Sequence, residues 1–283
     1  MSLAAYKRTV FSWQTLKKFV SSFLQILGVI ALVLGVLVIL FPNTLNFGYE
    51  GVIAFSGISL IGALITIIPR RKISRQLTLP DTKITVKVGD LFQEDGNLVI
   101  GMNDVFDTEK GNIIKPNSIQ GQFLTKIYND DRLRLDRDIE DALGGASYVQ
   151  DNQKTQGKSK RYPIGTVATL SVGTKKYFCS AYSRMGIDLK AQSDVKRLST
   201  SLEMLWEAIR LKGQRDKVDM AVLGSDLARI ITTSHSDLIK LIVSSFILAS
   251  REQPITQELV IVIHQSNLEK VNMNELDDFL QYF

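Results

Sequence analysis

Apolar residues run without a charge from Phe19 to Phe41, "FVSSFLQILGVIALVLGVLVILF", a stretch of 23 residues. At 1.5 Å per residue such a run crosses a ~30 Å hydrocarbon core with some tilt. "PNTLNFGYE" then supplies Pro, Gly and Asn breakers, and a second uncharged run of 18 residues extends from Gly51 to Ile68 before Pro69 and "RRK". Backbone groups in lipid must bond internally, so both runs predict helices, a hairpin over 19–69 with spans at 19–41 and 50–68. Beyond it, after a basic linker over 70–80, the period shortens. Lys83–Val88, "KITVKV", alternates like a half-buried strand, and Leu98–Ile100 suits a central strand. "SIQGQFLTKIY" places Ile119, Phe123 and Ile127 at helical spacing behind an N-cap serine, and "DDRLRLDRDIEDAL" reads as a charged, exposed helix with Asp136 and Glu140 solvated. Gly144–Arg161 reads as a mobile polar loop that includes the solvated basic run "KSKR".

The C-terminal half repeats the alternation. Strands are expected at Thr166–Leu170, Lys176–Ala181, Val218–Leu223 and Glu258–His264, and helices at Asp194–Lys212, Asp237–Ala249 and Leu268–Phe283. Strands alternating with helices predict an α/β domain over 81–283, with a mixed, mostly parallel sheet covered on both faces.

Charge sharpens this division. Residues 1–79 hold eight Lys or Arg and one acid (Glu50), whereas the rest holds 26 basic and 28 acidic residues, so the net charge of +5 belongs to the N-terminal part. The α/β domain therefore shows no bulk signature of a nucleic-acid partner. Cations flank the hairpin before its first span and after its second, and the connecting loop has none. The positive-inside rule then places both termini in the cytoplasm of a multi-pass inner-membrane protein, with residues 1–18 a cytoplasmic flank that could lie along the bilayer surface. Ala31-xxx-Gly35 and Ser59-xxx-Ala63 offer small surfaces for helix association. The single cysteine, Cys179, excludes an internal disulfide and a Cys-rich zinc site, and its apolar surroundings read as core rather than as a nucleophile. His235 and His264 are the only two histidines, some thirty residues apart, and read as structural rather than as metal ligands.

In parallel sheets, ligands bind outside the carboxyl ends of the strands. Gly89-Asp90 follows the first expected strand, Gly101-Met102-Asn103-Asp104 and then Asp107 follow the second, and "GSDLAR" follows Leu223. Asn117-Ser118-Ile119-Gln120-Gly121 opens a helix, whose unpaired N–H groups suit a diphosphate. Gly121 and Gly224 would let backbone approach phosphate oxygens.

The order of these motifs resembles a macro domain, and "NLVIGMNDVFDTE…NSIQGQF" behind paired membrane helices resembles the divergent macro domain of membrane-anchored effectors in type II Thoeris antiphage systems. The resemblance implies a three-layer sandwich that binds ADP-ribose or a derivative. It implies that Asp90 takes the adenine with Leu91 beside it, and that Asn103 and Asp104, with Asp107 beyond them, approach the distal ribose. Ser118, Ile119, Gln120, Gly121 and Gln122 would form the first phosphate loop, with Phe123 beneath the ligand. Gly224, Ser225, Asp226, Leu227 and Ala228, followed by Arg229, would form the second. The implied partners are a TIR-domain protein that makes an ADP-ribose-derived messenger, here a histidine–ADP-ribose conjugate, the lipid bilayer, and further copies of the chain in a homo-oligomer that disrupts the membrane and kills the cell. No cofactor, metal or catalytic residue is implied. The chain departs from hydrolytic macro domains at Gly101–Asp104 and by Lys115-Pro116-Asn117-Ser118 in place of a glycine triplet, which favours a sensor. The other readings are a membrane-tethered ADP-ribosyl hydrolase and a passive nucleotide-binding scaffold. Asp226 stands where the family pattern expects glycine, and a carboxylate pointing inward there would repel a diphosphate.

Overall fold

A computed structural model describes residues 13–41, 48–68, 70–225, 230 and 233–283. The chain forms two compact units, residues 1–71 with 272–278 and residues 72–271 with 279–283.

In the first unit, helices α1 (Trp13–Leu40) and α2 (Gly48–Thr66) are both long and apolar enough to cross a membrane. Most of their large apolar side chains are exposed, Leu32 and Ile39 among them, as expected of a surface made for lipid. The buried side chains of α2 are Ser59 and Ala63, and a Cβ on Gly62 would lie 2.7 Å from Ile26 Cδ1. The helices therefore meet along the small face Ser59-xxx-Ala63. Ala31-xxx-Gly35 is different, since a Cβ on Gly35 would meet nothing within 4 Å.

The second unit is built on a twisted sheet of strands β1 (Lys72–Thr78), β2 (Asp81–Val88), β3 (Asn97–Asn103), β6 (Val167–Val172), β7 (Lys175–Met185), β9 (Val218–Ala221) and β10 (Glu258–Ile263). A small separate hairpin comprises β4 (Val149–Gln150) and β5 (Lys160–Arg161), and β8 (Ala191–Gln192) folds back onto the end of β7. The order is β1-β2-β10-β9-β3-β7-β6. β2, β10, β9, β3 and β7 run parallel, while β1 and β6 close the two edges antiparallel. Most of the expected linker over 70–80 is strand β1. Its "KISRQL" alternates with Ile73 and Leu77 inward, and Lys72 and Arg75 guard the exposed edge.

Alternate residues of the central strands serve opposite layers. Leu98, Ile100 and Met102 of β3 and Tyr177, Cys179 and Ala181 of β7 pack with Phe123, Leu124, Leu135 and Ile139 from α3 (Ile119–Tyr128) and α4 (Arg132–Ala142). On the other face lie α5 (Val195–Lys212) and α6 (His235–Glu252). They are joined by the edge-to-face pair Trp206–Phe246 and by Trp206 Nε1 donating to Ser245 Oγ at 3.0 Å. Cys179 is fully buried, and burial pushes its thiol far up, consistent with a core residue. The C-terminal stretch forms a 3₁₀ segment, Gln265–Lys270, and then α7, Met273–Leu280, with a break at Val271–Asn272.

Gly144–Arg161, expected as a mobile loop, is anchored at several points. Lys154 Nζ lies 3.1 Å from Asp107 Oδ2 with neither side chain reaching solvent, and Lys158 Nζ lies 2.6 Å from Asp136 Oδ1. Arg161 bridges Asp104 and Asp151. "KSKR" is therefore largely paired rather than solvated. Asp136 also accepts from Thr108 Oγ1 at 2.6 Å and is partnered too.

A second buried acid sits at the opposite end of the strands. Asp219 accepts from Gly96 N at 2.9 Å and lies 3.3 Å from Lys217 Nζ, which also pairs with Asp95 and lies 3.5 Å from Glu94. A cation already occupies the centre of this acidic group. Burial raises the Asp219 carboxyl from 3.8 to about 6 against the pull of Lys217. A carboxyl whose folded pKa exceeds its unfolded one adds stability that is complete below the unfolded value and is lost as pH rises through the folded one. Asp219 is thus expected to contribute on the order of 1–3 kcal/mol near pH 4 that disappears by about pH 7. Thermal melts over that range should show Asp219→Asn flattening the dependence, and parallel wild-type and variant curves would refute it.

Candidate functional site

The carboxyl ends of all five parallel strands open into one cleft of about 860 Å³. β2 ends in Gly89-Asp90, β10 in His264, β9 in Val222-Leu223, β3 in Asn103 and β7 in Tyr182-Ser183, and all of these line it. A parallel sheet delivers loops from successive strands to the same side, so the cleft is a direct consequence of topology.

At one end, Asp90 caps the short 3₁₀ turn Leu91–Gln93. Its Oδ1 accepts from Phe92 N at 3.0 Å and its Oδ2 from Lys126 Nζ at 2.8 Å. Burial pushes this carboxyl up, but the Lys126 ammonium and the Phe92 N–H together outweigh it, so it titrates below its ordinary value. Asp90 is an ionised acceptor at neutral pH. Leu91, buried, sits beside it on the wall.

Along the middle, the first turn of α3 faces the cleft through Ser118, Ile119, Gln120 and Gln122. Ser118 Oγ accepts from Gly121 N at 3.1 Å, and the cap leaves other first-turn N–H groups of the helix over. Gln120 Nε2 donates to the Asp107 carbonyl, and Gln122 Nε2 to the Asn117 carbonyl at 3.1 Å, so both amides brace the helix entry. Gly121 does not line the cleft. A Cβ there would come within 2.4 Å of the Lys115 carbonyl oxygen and 2.7 Å of that of Pro116. The glycine is required by the chain's own backbone rather than by a ligand. Phe123, fully buried, lies in the core against Tyr128 and Tyr177.

Asn103, Asp104 and Asp107 divide differently from expectation. Asn103 lines the cleft, and its Oδ1 accepts from Val105 N at 3.1 Å and Asp107 N at 3.2 Å, holding the turn in which Phe106 takes φ +53°. Asp104 and Asp107 turn away from the cleft. Asp104 accepts from Arg161 and from Met185 N at 2.9 Å, and Asp107 accepts from Lys158 N at 2.7 Å and pairs with Lys154. Both are structural carboxylates that tie the β3 exit to the β4–β5 hairpin and to β7. Burial pushes the Asp107 carboxyl above its usual range despite those donors.

Of the late loop, Ser225 lines the cleft, with its hydroxyl donating to the Val222 carbonyl at 2.7 Å. Gly224, at φ +79°, lines an adjoining hollow of about 270 Å³ shared with Ser225 and His235. Asp226, Leu227, Ala228 and Arg229 lie outside the described residues.

The cleft also contains groups that sequence reasoning set aside. His264 stands at the β10 end and His235 opens α6, and both line the wall together with Asn267. The strand-end rule points to His264, because the residue after a central parallel strand faces the cleft. The far wall is the hairpin after β7, where Asp188 and Lys190 lie 3.8 Å apart and Met185 packs with Val105, Ile113 and Ile114. A local signal for that hairpin exists, since Met185, Ile187, Leu189 and Ala191 alternate with polar residues or glycine along "RMGIDLKAQS", but sequence reasoning did not use it.

The family described as "Thoeris protein ThsA, Macro domain" matches residues 84–264. The chain belongs to the Thoeris ThsA macro-domain family. No curated protein sequence matches the chain. Solved macrodomains from Oceanobacillus iheyensis share the fold. A point mutant covers 75% of this chain and 100% of its own at 11% identity, with a TM-score of 0.51. The form described with ADP covers 76% and 100% at 12% identity, with a TM-score of 0.50. A mutant described with ADPR covers 75% and 100% at 12% identity, with a TM-score of 0.50. The mixed sheet and its two helical layers are thus a macro domain, and the family is consistent with an ADP-ribose-related ligand.

Proposed function

We propose that the macro domain binds an ADP-ribose-derived messenger and acts through the attached membrane helices as a ligand-gated antiphage effector. The observation that carries this reading is the cleft: an acceptor-only carboxylate, Asp90, at one end and a serine-capped helix entry beside it, reached by five parallel strand ends. A base amine suits the carboxylate and a diphosphate suits the helix entry, so a dinucleotide-like ligand fits both at once. The messenger is a histidine–ADP-ribose conjugate made by a TIR-domain partner, and its binding drives self-association and membrane disruption in the bacterial inner membrane. The domain works as a sensor rather than an ADP-ribosyl hydrolase. Support for this comes from Asn103, whose side-chain oxygen braces its own turn, and from the cleft-wall carboxylates among the described residues being Asp90 and Asp188, one salt-bridged to Lys126 and the other 3.8 Å from Lys190.

The test is calorimetric titration of the full chain in lipid nanodiscs with ADP-ribose and its histidine conjugate, paired with dye leakage from vesicles. Binding of the conjugate with ligand-dependent leakage is expected. Asp90→Ala removes a charged acceptor, and should weaken binding by about 10- to 100-fold while the protein still inserts. Equal affinity in that variant would remove Asp90 from the site, and release of free ADP-ribose from an ADP-ribosylated protein would refute the sensor reading.

A further inference from the structure

We propose that Lys126 is a positioning residue of the cleft, acting through Asp90 to hold that carboxylate as a fixed, acceptor-only group that selects a base bearing an exocyclic amine. This rests on the nucleotide-binding reading above. Lys126 does not line the cleft. It sits in the last turn of α3, the helix whose first turn does. Its Nζ lies 2.8 Å from Asp90 Oδ2 and 4.9 Å from the centre of the Phe92 ring, while Phe92 N donates to Asp90 Oδ1 at 3.0 Å. Each carboxylate oxygen is therefore held by one donor and keeps lone pairs for another. The ring beneath the ammonium limits where Lys126 can go, so the lysine, the ring and the acid brace one another.

The chemical consequence is selectivity. An ionised carboxylate attracts an N–H donor and repels a carbonyl oxygen, which separates adenine from hypoxanthine at the 6-position, where an amine is replaced by a carbonyl. The accompanying change at N1, from acceptor to N–H, lies one ring atom away. A carboxyl that takes up a proton can donate as well as accept and loses that distinction, and one free to rotate no longer holds a fixed acceptor opposite the amine. The low titration of Asp90 agrees with this geometry. Lys126 faces Asp90 from α3 and His264 faces it from the end of β10, and His264 is present in wild type and variant alike. α3 therefore serves the cleft at both ends, with its first turn at the middle and its last turn fixing the acid. As an ion pair alone, the partly exposed Lys126–Asp90 contact would add little stability, so its effect should appear in recognition rather than in melting.

The experiment titrates the full chain in detergent micelles with ADP-ribose and with its hypoxanthine counterpart. Wild type, Lys126→Met and Lys126→Arg are compared from about pH 7 to about pH 3, a window that passes through the ordinary Asp value of about 3.9. Wild type should prefer ADP-ribose by about tenfold or more. Lys126→Met should bring the two ligands close to parity, and Lys126→Arg should restore the preference. Affinity falls as pH falls through the Asp90 pKa, and the loss should begin at a higher pH in Lys126→Met, because the ammonium that keeps the acid ionised is gone. If Lys126→Met melts early, Lys126→Gln supplies the same comparison. Wild-type discrimination and pH profile in both neutral variants would overturn the role of Lys126 alone. Failure of wild type to bind either nucleotide, or the histidine conjugate titrated alongside them, would overturn the functional reading and this inference together.

Discussion

Lys154→Ala is expected to lower the stability of the macro domain by about 3–5 kcal/mol, the usual effect of removing one partner from a buried ion pair. Lys154 and Asp107 have side-chain exposures of 0% and 1%. Without the ammonium, Asp107 keeps Lys158 N at 2.7 Å but sits charged in a dry site. The carboxyl must then protonate or draw in water, and its folded pKa, already raised by burial, rises further. Stability contributed by a raised carboxyl is present at low pH and lost as pH rises through the folded value. The variant should therefore regain part of its stability as pH falls towards the ordinary Asp range, which the wild type should not do to the same extent. Chemical denaturation at neutral and mildly acidic pH measures both effects. The double variant Lys154→Met with Asp107→Leu replaces the pair by apolar volume and should recover most of the loss. A loss below about 1 kcal/mol in Lys154→Ala would show that the pair is solvated. The effect should reach the cleft too, because the Asp107 carbonyl receives the Gln120 amide, which lies on the cleft wall.

Gly121→Val is the second large expectation, and its main effect is on binding. The atoms that a Cβ would meet at 2.4 and 2.7 Å are backbone oxygens of Lys115 and Pro116, which no rotamer change can move aside. The first turn of α3 must shift, taking with it Ser118 and the N–H groups of the helix entry. Overpacking of this kind destabilises by about 1–3 kcal/mol. A misplaced anion seat should reduce affinity for ADP-ribose by at least about 100-fold, or 2.7 kcal/mol. Thr125→Ala, one turn on in the same helix, removes an exposed side chain that does not line the cleft and is the control. Calorimetry on both variants decides the matter, and near-wild-type binding by Gly121→Val would mean that α3 does not seat the ligand.

The difference between these two residues marks how far sequence reasoning reached. Gly121 was legible as a special glycine because it stands three residues after a capping serine, a local pattern. The reason for it was not legible, since the crowding comes from Lys115 and Pro116, whose path depends on how the 108–117 segment crosses the molecule. Asp107 was legible as a carboxylate near a strand end, but its direction was not. Lys154, forty-seven residues later, claims it for the interior, and a loop full of Gly, Gln and Lys gives no period from which such a contact could be read. His264 was legible in principle by the same strand-end rule that singled out Asp90, and was passed over for lack of a metal partner. The expected linker hid β1, where the alternation of Ile73 and Leu77 is present but brief and interrupted by charge.

What the sequence determined by itself was whatever depends on local periodicity and composition. That includes two uncharged stretches long enough to span lipid, the alternation of strand and helix that commits the chain to a mostly parallel sheet, and hence the existence of a ligand edge at the strand ends. Backbone hydrogen bonding in lipid and the twofold or 3.6-residue rhythm of burial enforce these features over a few turns of chain. The tertiary structure alone decided which acids reach the cleft and which are sealed within the protein. Asp90 and Asp107 look alike in a turn, yet one is held at the cleft by Lys126 and the other is sealed in the interior by Lys154. That choice depends on cations 36 and 47 residues away, and long-range pairing of buried charge leaves no local trace.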